Sequence, residues 1–185
     1  MQRHGTGEWR VRGALRAATG AVHERLHRAA PFSAIANRQL DVRGYADLVA
    51  RIAAFHFTVG EDLGTGRLRR GLLVRDLKRL GLSRPGDLPW TSPRTGPERL
   101  GWAYVVEGSS IGGKVLYRQL DYLFGRSASG RLFFRGSGSD GPRWQALCRD
   151  LEAAGRTDRA VEEIIGGATA AFALFERAVA PAVEA

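Results

Sequence analysis

Cysteine, lysine and histidine are scarce in this chain of 185 residues, and strand-like alternation is missing from it. A single cysteine, Cys148, excludes an intramolecular disulfide, and its setting in QALCRDLE predicts a small thiol buried on the apolar side of a helix. Four histidines without an HExxH pattern or a cysteine cluster leave a zinc site poorly supported, although His23 and His27 stand four apart on one helix face. No apolar run approaches a membrane span, and the first thirty residues, full of Arg, Glu and His, hold no apolar signal core. A cytoplasmic chain without membrane contact is expected. No segment alternates with period two and no repeat recurs, which excludes most β architectures and predicts an all-α chain of six to eight helices.

What is present suffices for one well-buried core: 44% hydrophobic, 9% aromatic and 25% charged residues. Residues 1–10, with Gly5 and Gly7 and no periodicity, are expected to form a flexible N-terminal arm, and 11–185 one domain. The formal charge is +9 and the pI about 10.9. Only Lys78 and Lys114 are lysines; the remaining basic residues are arginines dispersed along the chain, most of them read as solvated surface. A nucleic-acid partner is not expected, since neither aromatic-basic interleaving nor a helix-turn-helix signature accompanies the charge.

Helical periodicity begins at Val11 and runs through Leu15, Ala18, Val22 and Leu26 until Pro31 stops it. Asp41 is a candidate N-cap for a second helix carrying Leu48, Ile52, Phe55 and Val59, fading over Gly60–Gly66. RLRRGLLVRDLKRLGL predicts a third, ending at Gly81. Pro85, Pro89, Pro93 and Pro97 mark a connector whose last proline suits the first turn of a long helix reaching Gly125. After a Gly/Ser-rich loop, one helix starts near Pro142 with Trp144, Leu147 and Leu151. A last helix, capped near Thr157, carries Val161, Ile165, Phe172, Phe175 and Val179.

The long helix contains an anomaly. Gly108, Gly112 and Gly113 interrupt it, and each interior glycine costs about 1 kcal/mol relative to alanine. Either another element packs closely there, or the helix bends and lays bare backbone against a flat ligand with room for a small molecule between them. A neutral imidazole such as that of His23 is a good axial ligand for haem iron, and a face that binds O₂ wants a wall of small residues.

LRAATGAVHERLH resembles the proximal-helix motif of the heme oxygenase family, and YVVEGSSIGGKVL its glycine-rich distal-helix motif. RLFFRGSGSDGPRWQALCRDLE is similar to the following loop and helix of bacterial, phytochrome-associated members, and AFALFE to the closing helix, so the resemblance spans most of 12–178. It implies a single-domain, multi-helix heme oxygenase-like fold with haem held between a proximal and a distal helix. By the same resemblance His23 is the iron ligand, Thr19 and Arg16 accompany it, and Arg16 faces a haem propionate. Ser109, Gly108 and Gly112 form the catalytic distal wall, beside Gly113. Arg143 and Arg149, or Lys114, are further propionate candidates.

The implied activity is oxidative opening of haem to biliverdin, CO and iron, with O₂ and electrons from ferredoxin or another reductant; a bacterial phytochrome is the implied biliverdin acceptor. Two departures from the family pattern stand out. Ser109 occupies the place of a distal aspartate, and His27 that of a glutamate four residues past the ligand. A haem-binding protein of the same fold that stores, transfers or senses haem without opening it is the alternative. For Phe172, Phe175 and Trp144, core packing is favoured over haem contact.

Overall fold

The computed structural model describes residues 10–64 and 66–180, so the expected N-terminal arm lies, apart from Arg10, outside the described residues. Nine helices and no strand are found among them: α1 (Arg10–Arg28), α2 (Phe32–Ala36), α3 (Val42–Asp62), α4 (Arg67–Arg79), α5 (Gly96–Gln119), α6 (Asp121–Phe124), α7 (Leu132–Arg135), α8 (Asp140–Ala154) and α9 (Asp158–Val179). The chain is all-α.

Side-chain caps fix three of the long helices. The Asp41 carboxylate accepts from the Gly44 amide at 2.7 Å, the Thr95 hydroxyl from Glu98 at 3.1 Å and the Thr157 hydroxyl from Ala160 at 3.2 Å. α3 is buried almost all round from Leu48 to Gly60 and forms the centre, against α4 on one side and α9 on the other. The most extensive contact joins α5 to α9. A Cβ on Gly101 would stand 2.0 Å from the Ile164 carbonyl oxygen, and one on Gly167 would stand 2.1 Å from that of Glu98. The two backbones therefore touch, and only glycine permits it. α1 lies across α9 and α8, presenting Val11, Leu15 and Leu26 inward. Within this stripe Thr19 is buried and Ala18 exposed. Two apolar clusters, one around Tyr45, Ile52 and Leu73 and one around Leu15, Trp102 and Ile164, meet at the half-buried Phe172 and Phe175.

The structure corrects the sequence reading in three places. The helix expected to reach Gly125 ends at Gln119 and resumes as α6 after the buried Leu120. The Tyr117 carbonyl, which would continue the helical ladder, instead accepts from the Arg131 guanidinium at 2.6 Å. Arg131 is buried and also donates to the carbonyls of Ser127 (2.7 Å) and Gly125 (2.6 Å) and to Asp121 (2.7 Å). The Gly/Ser-rich loop contains α7, whose first amides, Leu132 and Phe133, are each held at 2.8 Å by the Asp76 carboxylate on α4. Finally, where the sequence left close packing or a bend open at Gly108, Gly112 and Gly113, α5 stays helical through all three.

Candidate functional site

α1 and α5 carry the residues singled out from sequence, and Tyr104 joins them. Its phenol reaches the hydroxyl of Thr19 and feels the charges of Arg12 and Arg16; burial pushes its proton affinity up. Thr19 is itself anchored, donating to the Leu15 carbonyl at 2.7 Å. One turn beyond this junction the two helices present different surfaces. α1 presents His23, exposed and bound to no carboxylate. α5 presents Gly108, then the exposed Ile111, Gly112 and Val115 on one stripe.

The His23 ring stands 4.6 Å from that of His27, centre to centre, and 6.5 Å from that of Phe172 in α9. Burial lowers its proton affinity most and the neighbouring His27 lowers it further, while Glu24 opposes both. The neutral form, with a free lone pair, is thus favoured near neutrality. Arg16, nearly two turns earlier, is exposed.

The three glycines of α5 separate into distinct surroundings. A Cβ on Gly108 would lie 3.3 Å from the Trp144 ring of α8, and one on Gly113 would lie 3.3 Å from the Phe134 backbone; on Gly112 it would meet nothing within 4 Å. Two of the three accommodate packing and one faces open space. Trp144 is half-buried and tilted against Tyr104 at 5.3 Å, so it backs this wall. The Ser109 hydroxyl donates to the Val106 carbonyl at 2.7 Å and the Ser110 hydroxyl to that of Glu107 at 2.6 Å; both hydroxyl hydrogens point into their own helix.

Glu107, in the same segment, turns away from the slot. It is buried, accepts from the Gly66 amide at 3.1 Å and pairs with Arg143 at 3.8 Å. Arg143 is held closer, at 3.0 Å, by the buried Asp140. Its charge therefore belongs to a cluster with Asp140 and Glu107. Arg69 completes that cluster. It is fully buried and stacked 4.1 Å over Phe133, with burial lowering its pKa to about 10 against the opposing pull of Asp140 and Glu107. Arg149 is exposed on α8.

Sequence reasoning passed over Tyr104, Glu107 and Arg69, and favoured core packing over haem contact for Trp144. Tyr104 sits one helical turn before Gly108, on the stripe that leads to Gly112, and that spacing was the available signal. Arg69 carried none, since its neighbours in RLRRGLLVRDL are exposed or half-exposed arginines.

The two described cavities lie elsewhere. One of about 720 Å³ is lined by Val42, Arg43, Arg79 and Phe124, and one of about 530 Å³ by Arg25, Leu26 and Glu176. His23 on α1 and the Ile111, Gly112 and Val115 stripe on α5 are each exposed. No group of three or more metal-ligating side chains occurs among the described residues.

Compared with known proteins, residues 90–180 match the family model described as heme oxygenase. Among solved structures, the fold is similar to that of the heme oxygenase from Neisseria meningitidis, determined with NO and CO bound, at a TM-score of 0.73 and 23% identity over 95% of this chain and 96% of that one. No curated protein matches the chain.

Proposed function

We propose that the chain is a heme oxygenase, in keeping with the family match over residues 90–180 and the similar fold, and that it holds haem between α1 and α5 and opens it to biliverdin, CO and iron, using O₂ and electrons from ferredoxin or another external reductant. The observation that carries this is a free, neutral-leaning imidazole at His23 on one helix, together with an open glycine at Gly112 amid exposed apolar residues on the other. These residues suit haem on three counts. Exposed Ile111 and Val115 leave an apolar face uncovered on a folded chain, His23 offers a lone pair, and Arg16 offers a cation for a carboxylate at the ligand's edge.

When bound, haem supplies the iron that activates O₂ and is itself the molecule oxidised. The protein's part is position and electrostatics. His23 ligates from the α1 side, and its low proton affinity keeps it from being lost to protonation near neutral pH. Tyr104 on α5 and Thr19 on α1 interact, and in this reading they would bound one edge of the haem site. Gly112 leaves the volume of a side chain vacant for a diatomic molecule, and the backbone oxygens nearby are available to ordered water. The distal stripe of Gly108, Ile111, Gly112 and Val115 offers backbone and apolar side chains, and the neighbouring Glu107 is committed to Gly66 and Arg143. A wall without a strong acid would supply no proton donor beside Gly112.

A cytoplasmic setting and transfer of the product to a bacterial phytochrome belong to the same proposal; no helix among the described residues is long and apolar enough to cross a membrane. Haemin added to the purified chain, followed by ascorbate or by ferredoxin with its reductase, is expected to lose its Soret band while biliverdin absorption grows. Stoichiometric binding with the Soret band intact would convert the reading to haem storage, transfer or sensing. His23→Ala is expected to lose the histidine-ligated ferric spectrum, and an unchanged spectrum would remove His23 from the iron.

A further inference from the structure

His23 and His27 are four residues apart on α1, so both rings project from one face, and their centres stand 4.6 Å apart. Both residues are exposed, and neither ring donates or accepts a hydrogen bond among the described residues. His56 makes a useful contrast: its two nitrogens also lack partners, but the side chain is sealed in the interior. The nearby cations do not oppose a bound ion strongly, since Arg25 is paired with Glu176 at 3.1 Å and Arg28 with Glu24 at 3.9 Å.

We propose that, in the haem-free chain, His23 and His27 together chelate a divalent transition-metal ion, and that this ion and haem exclude one another. The cation site stands on the two rings alone, whereas the exclusion rests on the functional reading above. Imidazole nitrogens ligate such ions at about 2.0–2.1 Å, which puts two donors on one ion roughly 3 Å apart. Rings already 4.6 Å apart reach that spacing by side-chain rotation, with no movement of the helix. No third protein donor joins them among the described residues, so water completes the coordination shell and the ion exchanges freely. Two imidazoles with water select by intrinsic strength, giving Cu²⁺ the highest affinity, then Ni²⁺ and Zn²⁺, then Mn²⁺. Mg²⁺ and Ca²⁺, which take oxygen ligands, are rejected. A neutral imidazole has one lone pair, so His23 serves either the chelated ion or the haem iron.

The test uses the haem-free full-length chain carrying His4→Gln, so that no further imidazole from the N-terminal segment takes part. Cu²⁺ titration by calorimetry is expected to give one site, with an electron paramagnetic resonance spectrum showing hyperfine coupling to two imidazole nitrogens. His27→Gln and His23→Gln are each expected to weaken the site at least tenfold while leaving the helical circular dichroism unchanged. Saturating Zn²⁺ is expected to raise the apparent Kd for haemin at least tenfold in the His4→Gln chain but not when His27→Gln is added. Copper affinity indifferent to either substitution, or two-nitrogen coupling that survives His27→Gln, would overturn the site. A full zinc site with haemin affinity unchanged would overturn the exclusion. A chain that binds no haemin at all defeats the functional reading, and leaves the copper result to decide the cation site.

Discussion

Gly101 and Gly112 lie about three turns apart on α5 and meet opposite surroundings. At Gly101 the space of a methyl group is filled by the Ile164 carbonyl oxygen, 2.0 Å away; at Gly112 it is empty to 4 Å. The first glycine buys closeness between two helices, and the second leaves a vacancy on an exposed face of α5. The same local cost, about 1 kcal/mol of helix propensity, is thus incurred for two purposes that the residue type alone does not distinguish. Gly108 lies between them in position and in character, with a ring edge at 3.3 Å.

Substitution series along α5 and its surroundings test this contrast. Gly101→Ala is expected to destabilise the fold by about 3 kcal/mol or more, since the neighbour is backbone and cannot rotate away. Gly167→Ala, opposite the Glu98 carbonyl, is expected to behave alike. Urea unfolding measures both, and a loss below about 1 kcal/mol would show that the crossing is looser than it looks.

The closed half of the molecule also carries a pH signature. Burial first, then Arg69 and Arg70, holds the proton affinity of His56 well below its ordinary value of 6.5. The unfolded chain takes up a proton below about pH 6.5 that the folded chain refuses. Stability is therefore fully present above that pH and falls as pH drops below it, by at most about 1.4 kcal/mol per pH unit for one such group. His56→Leu is expected to flatten the slope between about pH 6.5 and 5 in urea titrations, and an unaltered slope would assign it to other groups.

On the open side the sign reverses. Gly112→Ala is expected to stabilise the haem-free chain by about 1 kcal/mol, because helix propensity improves and nothing is struck. Gly112→Ile, by contrast, is expected to preserve the fold and weaken haemin binding at least tenfold, read from the Soret titration. Gly108→Ala should give the smallest change, within about 0.5 kcal/mol of the parent in thermal melts, as the propensity gain is offset by displacement of Trp144.

Much of this arrangement was legible in the sequence where the signal is local. Asp41 and Thr157 announce their helices by cap chemistry, and the apolar spacing of Val11, Leu15 and Leu26 identifies the buried face of α1. Pro97 falls in the first turn of α5. What escaped was set by partners distant in the chain. α7 depends on a carboxylate at Asp76, and the end of α5 on a cation at Arg131; neither appears in a window of local periodicity. The dispersed arginines read as solvated include Arg69 and Arg131, both fully buried, because an arginine signals its burial only through the acids, carbonyls and rings that surround it. For the slot, His23 and the glycine segment were visible as oddities, while Tyr104, which joins the two helices, looked like any aromatic in an amphipathic stretch.

Arg131 has one more consequence. Three of its four hydrogen bonds end on the main-chain oxygens of Tyr117, Gly125 and Ser127, an atom that every amino acid supplies. Apart from the hydroxyls of Ser127 and Ser129, which accept from the Ser129 amide and from Arg79, the stretch from 126 to 129 is held through its main chain, whereas the guanidinium is not replaceable even by lysine, whose single ammonium lacks the planar fork needed to reach several separate acceptors at once. A randomised library over those positions would recover diverse tips around one invariant arginine.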